Sequence, residues 1–330
     1  MNILVIGGGG YVGSLLVPAL LNENFKVKVL DLFIYGEPEK VYGELLKNEN
    51  LSIVKSDIRN IDLIESVITK TDAVVHLACI SNDPSFELNP NLGKSINYDC
   101  FLPLVKLCKI KQIKKFIYAS SSSVYGIKDT ENVTEDLPLE PLTDYSKYKA
   151  MCEKILLNES NDSMISTVLR PATVCGYSSR TRLDVIVNIL TNHAYTKNKI
   201  TVFGGNQKRP NIHIKDMVRA YVSILKENNR NVNSEIFNVG YENYSLDKLA
   251  SMVIDTVKKN ITLSHMKTDD LRSYHVSSDK IMKKINFKPI YTIQNAIEDL
   301  CNAFDQGFLP NSLDDPRYYN IKTMQLLNLK

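Results

Sequence analysis

The 330-residue chain contains no apolar run long enough to cross a bilayer. Its apolar opening breaks at four consecutive glycines, Gly7 to Gly10, and carries no basic leader, which argues against a signal peptide. Charge of one sign is lacking too: the net charge is +3 and the basic residues are scattered. Nucleic acid is therefore not an expected partner, and most lysines are expected on solvated faces. Six cysteines occur without a CxxC pair or regular spacing. Free thiols in a reducing cytoplasm fit that pattern, and no metal site is expected. Internal repeats and low-complexity segments are absent as well. What is present is ordinary globular material, 44% hydrophobic and 23% charged, enough for one large or two modest domains.

The rest of the chain is organised around residues 2–31. An apolar run, 2–6, stops at Gly7, and a helical pattern opens at Tyr11. A second β-rich run, 26–30, ends on Asp31. Gly7, Gly10 and Gly13 follow the spacing G-x-x-G-x-x-G. Gly7 allows the tight turn, Gly10 lets the backbone approach a pyrophosphate at the helix start, and Gly13 lets helix and strand pack closely. Asp31 can accept hydrogen bonds from adenosine ribose hydroxyls and would repel a 2′-phosphate, so NAD is expected over NADP.

Further strands are expected at 51–55, 73–77, 115–119 and 165–169, alternating with helices at 61–69, 91–110 and 144–158. That rhythm predicts a doubly wound, parallel α/β sheet of Rossmann type. After Gly176 the rhythm changes. Helices at 183–196, 216–226, 245–259, 279–284 and 293–304 mix with short strands at 200–203, 211–214 and 235–239. The expectation is an NAD-binding domain over 1–176, joined by a returning strand at about 235–240, and a smaller interleaved substrate-binding lid over 177–330.

Tyr145 and Lys149 stand at i and i+4 and would share one face of a helix. An ammonium near a phenol lowers its pKa, and the phenolate can take a proton from a substrate alcohol as hydride leaves for a nicotinamide. The serine run Ser120–Ser123 follows the strand 115–119, at the edge of the sheet where a cofactor would lie.

With these motifs go Asp57-Ile58, His76-Leu77-Ala78, Asn97, the segment SSSSVYG, Arg170-Pro171-Ala172-Thr173-Val174, and Arg209-Pro210-Asn211-Ile212-His213. Together they resemble the extended short-chain dehydrogenase/reductases of the nucleotide-sugar epimerase/dehydratase family. The resemblance spans nearly the whole chain and is weakest after about Leu309. It implies cofactor contacts at Gly7, Gly10, Tyr11, Val12, Asp31, Asp57, Ile58, Leu77, Ala78 and Asn97, besides Tyr145 and Lys149. It implies Ser121, Tyr145 and Lys149 as the catalytic residues. It implies substrate contacts at Ser81, Asn82, Ser122, Ser123, Thr173 and Asn188, with Arg209 and Arg272 on the pyrophosphate.

The departures narrow the reaction. Dehydratases of the family carry Asp-Glu after the catalytic Ser/Thr, where this chain has Ser122 and Ser123. Hydroxyls of ordinary pKa cannot replace a carboxylic acid and base, so 4,6-dehydration is disfavoured. Thr173 stands where many relatives have asparagine, and Cys175 where an aromatic residue is common. Cys175 reads as a small buried residue rather than as a catalytic acid. The expected activity is NAD-dependent oxidation of a UDP-, GDP-, CDP- or dTDP-linked sugar at C4. The ketone is then either re-reduced, as in a 4-epimerase, or released, as in a 4-dehydrogenase. A reductase or epimerase-reductase, or a non-catalytic NAD-binding regulator, is the alternative. The family suggests surface polysaccharide synthesis. A homodimer is expected through the helix 91–110 and the helix of Tyr145, with Phe101, Leu104, Val105, Cys108, Met151, Ile155 and Leu156 as apolar surface.

Overall fold

The computed structural model describes residues 1–128, 130, 132–268 and 275–328. Twelve strands occur in chain order: β1 (Asn2–Ile6), β2 (Lys26–Asp31), β3 (Leu51–Lys55), β4 (Ala73–His76), β5 (Lys115–Ala119), β6 (Ile165–Pro171), β7 (Thr173–Cys175), β8 (Lys199–Phe203), β9 (Lys208–His213), β10 (Glu235–Val239), β11 (Glu242–Ser245) and β12 (Thr262–Met266). Seven of them form one sheet in the order β3-β2-β1-β4-β5-β6-β10. Every pair in it is parallel. The chain winds outward from β1 in both directions, so the switch point lies between β1 and β4. This is the doubly wound sheet that the alternating pattern predicts, and ligands bind such sheets at the carboxyl ends of the strands beside the switch.

Successive side chains of a strand point to opposite faces, and β1 shows what that demands of the sequence. Ile3 and Val5 pack with Leu16, Leu20, Met217 and Tyr221 on one face. Leu4 and Ile6 pack with Phe101, Leu104, Phe116 and Leu156 on the other. All four β1 side chains are at most 1% exposed, which is why this strand reads as an unbroken apolar run. The remaining strands make a three-stranded sheet, β11-β9-β7, and a parallel pair, β12-β8. Helices Ile186–Lys197, Leu246–Val257 and Ile293–Asp305 close a separate core around Val187, Leu249 and Ile297. Helix Asn320–Leu327 packs beside the short helix Asp83–Glu87, and its Met324 joins the core that holds Tyr145.

Two expectations need correction. The helix expected over 91–110 is broken into Pro90–Lys94, a π-helical turn Ser95–Asp99, and Phe101–Ile110. Pro103 has no N–H to give to a preceding turn, so it suits the first turn of a new helix. The wide turn also brings Asn97 inward, where its amide bonds both Ile80 N (2.8 Å) and Ile80 O (3.0 Å). The second correction concerns the apolar surface assigned to a dimer. Phe101, Leu104, Val105, Cys108 and Leu156 are all within 1% of full burial in the chain's own core. On these two helices the exposed large apolar residues are Leu102, Ile110 and Met151.

Candidate active site

At the end of β1 the chain turns at Gly7, whose φ is +88°. A β-carbon there would stand 2.4 Å from Ala78 N, and one at Gly13 would stand 2.3 Å from Gly8 O. Both obstacles are backbone, so both positions require glycine. At Gly10 a β-carbon would meet only Gly7 O, at 3.3 Å. Helix Gly13–Asn22 starts directly after this turn and presents its positive end there. The turn lines a cleft of about 560 Å³ that runs along the carboxyl ends of β1, β2, β4 and β5. Tyr11, Val12, Ile58, Leu77 and Ala78 line the same cleft. Asp31 lines the cleft beside the turn and accepts hydrogen bonds from Gly9 N (2.9 Å) and Phe33 N (2.7 Å). Burial raises its pKa above the usual carboxylate value, against the lowering effect of those donors. A glycine cradle at a helix start and a carboxylate at the end of the second strand fit a dinucleotide.

Beyond Ala119 the chain enters the serine run. Ser121 caps a 3-10 turn, Ser122–Tyr125, by accepting from Ser123 N (3.1 Å), and Ser123 Oγ donates to Ser121 Oγ (2.9 Å). Helix Asp144–Glu159 begins with a capping box between Thr143 and Ser146, which fixes the first turn and with it Tyr145. Tyr145 and Ser121 both line the cleft, and the Ser121 hydroxyl favours the Tyr145 phenolate. Four residues on, Lys149 is 2% exposed and donates to Ala119 O (2.6 Å). Its ammonium lies 5.8 Å from the centre of the Tyr145 ring.

The protonation state of Tyr145 differs from the sequence expectation. Its pKa stands well above the ordinary phenol value because burial, then Cys79 and Asp83, oppose the phenolate. The Arg182 guanidinium and the Ser121 hydroxyl act in the other direction without offsetting the burial. Lys149 nevertheless keeps two of its three donors for other partners among the described residues after the bond to Ala119.

Among the expected substrate contacts, Ser81, Asn82, Ser122, Ser123, Thr173 and Arg209 line the cleft with Ser121 and Tyr145. Asn188 does not. It accepts from Gly176 N (2.9 Å) and donates to Tyr11 OH (3.0 Å) and Arg182 O (2.7 Å), so its amide ties a crossing loop to the glycine turn. Asn97 likewise serves the loop at Ile80 rather than the cleft. Asp57 is paired with Arg59 at 2.7 Å, and its neighbours Ser56 and Ile58 face the cleft instead. Arg272 lies outside the described residues. Cys175 is fully buried, its Sγ directed at Ile212 O (3.4 Å), and burial pushes its thiol pKa far up. It is packing, not an acid. His76 sits among Phe101, Phe116 and Tyr118, and burial pushes its pKa down to about 3, so it is neutral.

Among the cleft residues that the sequence does not announce are Tyr35, Cys79, Arg180, Arg182 and Asp184. Three of these come from the loop after β7, where the alternation Arg-Thr-Arg-Leu-Asp was the available signal. Arg182 Nε donates to Asp184 (2.8 Å), and Asn320 Nδ2 donates to Ser81 Oγ (2.7 Å) from the last helix.

Comparison with known proteins bears on the family and the fold. A model of the NAD dependent epimerase/dehydratase family matches residues 3–240. A UDP-glucose 4-epimerase of Lactobacillus helveticus is 28% identical over 311 residues, covering 88% of this chain and 92% of that protein. The crystal structure of a UDP-glucuronic acid 4-epimerase from Bacillus cereus, in complex with UDP-glucuronic acid and NAD, superposes with a TM-score of 0.82 at 28% identity, covering 93% of this chain and 99% of that one. A UDP-N-acetylglucosamine 4-epimerase from Methanobrevibacter ruminantium gives 0.84 at 25% identity, over 92% and 98%. The chain thus belongs to the NAD dependent epimerase/dehydratase family, and NAD is its cofactor.

Proposed function

We propose that this protein is a 4-epimerase of a UDP-linked sugar. The observation that carries the reading is Ser121 and Tyr145 lining one cleft, with two serines and no carboxylate pair after Ser121. When bound, NAD supplies the acceptor and later the donor of the hydride. In this reading Tyr145 takes the proton of the C4 hydroxyl, Ser121 positions its oxygen, and Lys149 bonds the cofactor's ribose with its remaining donors. Ser81, Asn82, Ser122, Ser123 and Thr173 surround the sugar, and Arg209 meets the pyrophosphate through charge-assisted bonds. Residues 1–176 with β10 form the cofactor half, and the rest is mainly the substrate half. The related 4-epimerases support UDP as the nucleotide and return of the hydride to C4.

The test is incubation of the purified protein with UDP-, GDP-, CDP- and dTDP-linked sugars, with products followed by mass spectrometry and NMR. A UDP-sugar inverted at C4, with unchanged mass, is the expected product. Loss of 18 mass units, or stoichiometric release of a ketone with NADH, would overturn the reading.

A homodimer belongs to the same reading. Leu102, Ile110 and Met151 give the adjoining helices Phe101–Ile110 and Asp144–Glu159 a smaller apolar face than the sequence suggests. Light scattering at micromolar concentration is expected to give twice the chain mass of 37.3 kDa, and a monomer would refute it. Six unpaired cysteines support a reducing cytoplasm as the working compartment.

A further inference from the structure

Arg180 is a buried cation that lines the cleft. Its residue is 4% exposed, and the guanidinium lies 3.8 Å from the centre of the Tyr35 ring. One nitrogen donates to Asn320 Oδ1 (2.5 Å), a neutral amide. Its Nε has no hydrogen-bond partner among the described residues. The neighbouring Arg182 has Asp184 as its carboxylate at 2.8 Å. Arg180 has no such salt bridge among the described residues, and burial pushes its pKa down to about 10. The charges of Asp184 and Asp31 favour the cation without offsetting its burial, and a buried guanidinium held by a ring and an amide is costly without a paired anion.

Its place says which anion. The Arg180 backbone N donates to Ser14 Oγ (3.4 Å), in the first turn of the helix that follows the glycine turn. Tyr35 lies a few residues beyond Asp31, and both line the cleft with Arg180. The loop is fastened to the same turn twice more, by Tyr11 OH to Gly176 O (2.6 Å) and Ser178 Oγ to Tyr11 O (3.2 Å). Asn320, which holds the guanidinium, also bonds Asp184 through its own N (2.9 Å).

We propose that Arg180, clasped by Tyr35 and Asn320, binds the pyrophosphate of NAD from the side opposite the glycine turn, and that this clasp keeps the cofactor from dissociating. A 4-epimerase must hold its NADH until the hydride is returned, so retention suits the proposed reaction. The inference rests on the cofactor and not on the identity of the sugar.

The experiment measures binding to the apoprotein by calorimetry, with NAD, ADP-ribose and adenosine as probes, for wild type, Arg180→Gln, Arg180→Lys and Asn320→Ala. NADH release is followed by its fluorescence, and folding by circular dichroism. Loss of one charge-assisted contact is expected to weaken NAD and ADP-ribose by roughly 10- to 100-fold in Arg180→Gln, with adenosine unchanged. Arg180→Lys should recover part of the affinity, and Asn320→Ala should speed NADH release with the charge still present. Unchanged NAD and ADP-ribose affinity in a folded Arg180→Gln protein would overturn the proposal. Equal weakening of adenosine would also overturn it, since the arginine would then only shape the cleft. If Arg180→Gln does not fold, Asn320→Ala and Arg180→Lys decide: native NADH release in both refutes the clasp. Failure of every sugar to react leaves these binding results intact.

Discussion

Tyr145→Phe is expected to lower turnover by about 10²- to 10⁴-fold while NAD affinity stays close to that of the wild type. The ring is buried in the core with Phe86, Leu156 and Met324, and phenylalanine fills the same space. Only the hydroxyl is lost, which in the proposed mechanism is the group that takes the substrate's proton. Lys149→Met should reduce turnover comparably but also weaken NAD, because the ammonium is the group with donors to spare beside Ala119 O. The sign of the pH dependence follows from burial. A base acts when deprotonated, and the Tyr145 pKa is raised, so the rate should climb as pH rises from neutral toward alkaline. Single-turnover hydride transfer, measured against pH for both variants, checks this. Near-native transfer in Tyr145→Phe would place the proton acceptor elsewhere and end the proposed mechanism.

The glycine turn, Asp31 and the Tyr145–Lys149 pair were legible because their constraints are local. A tight turn needs positive φ at Gly7 whatever surrounds it, and i, i+4 residues share a face on any helix. The two asparagines were not legible. An amide can serve a ligand or a backbone equally well, and only the tertiary structure shows that Asn97 is spent on Ile80 and Asn188 on Gly176 and Arg182. The dimer surface failed for a related reason. Periodicity shows which residues are apolar but not how wide the core is, and helix Phe101–Ile110 is covered on more of its circumference than one stripe requires. Arg180 and Asn320 escaped because 140 positions separate them and a crossing loop joins them. The raised phenol pKa of Tyr145 could not be read from spacing either, since burial outweighs the cations near it.

Beneath the serine run lies a buried ionic network whose disruption should cost the most stability. Arg170 and Glu153 are each 2% exposed in their side chains and meet at 2.7 Å. Arg170 Nη1 also donates to Tyr125 OH (2.7 Å), which donates to Asn238 Oδ1 (2.7 Å), and Ser120 Oγ bonds Glu153. The network therefore ties β6 and β10 to both ends of the segment that carries Ser121. Arg170→Met leaves the Glu153 carboxylate buried without its cation and should destabilise the fold by about 3–5 kcal/mol. The double variant Arg170→Met/Glu153→Leu removes both charges and should regain much of that. It should not regain all, because Ser120 loses its partner, at about 1–3 kcal/mol for a buried polar group left unsatisfied, while Tyr125 keeps its bond to Asn238. Urea unfolding of the three proteins gives the comparison. Turnover adds a second axis: with Ser120 released, the double variant should remain slower than wild type even where its stability has largely returned. Arg170→Met unfolding at the wild-type urea midpoint would show that the pair contributes nothing. A double variant with native turnover would show that Ser121 holds its position without it.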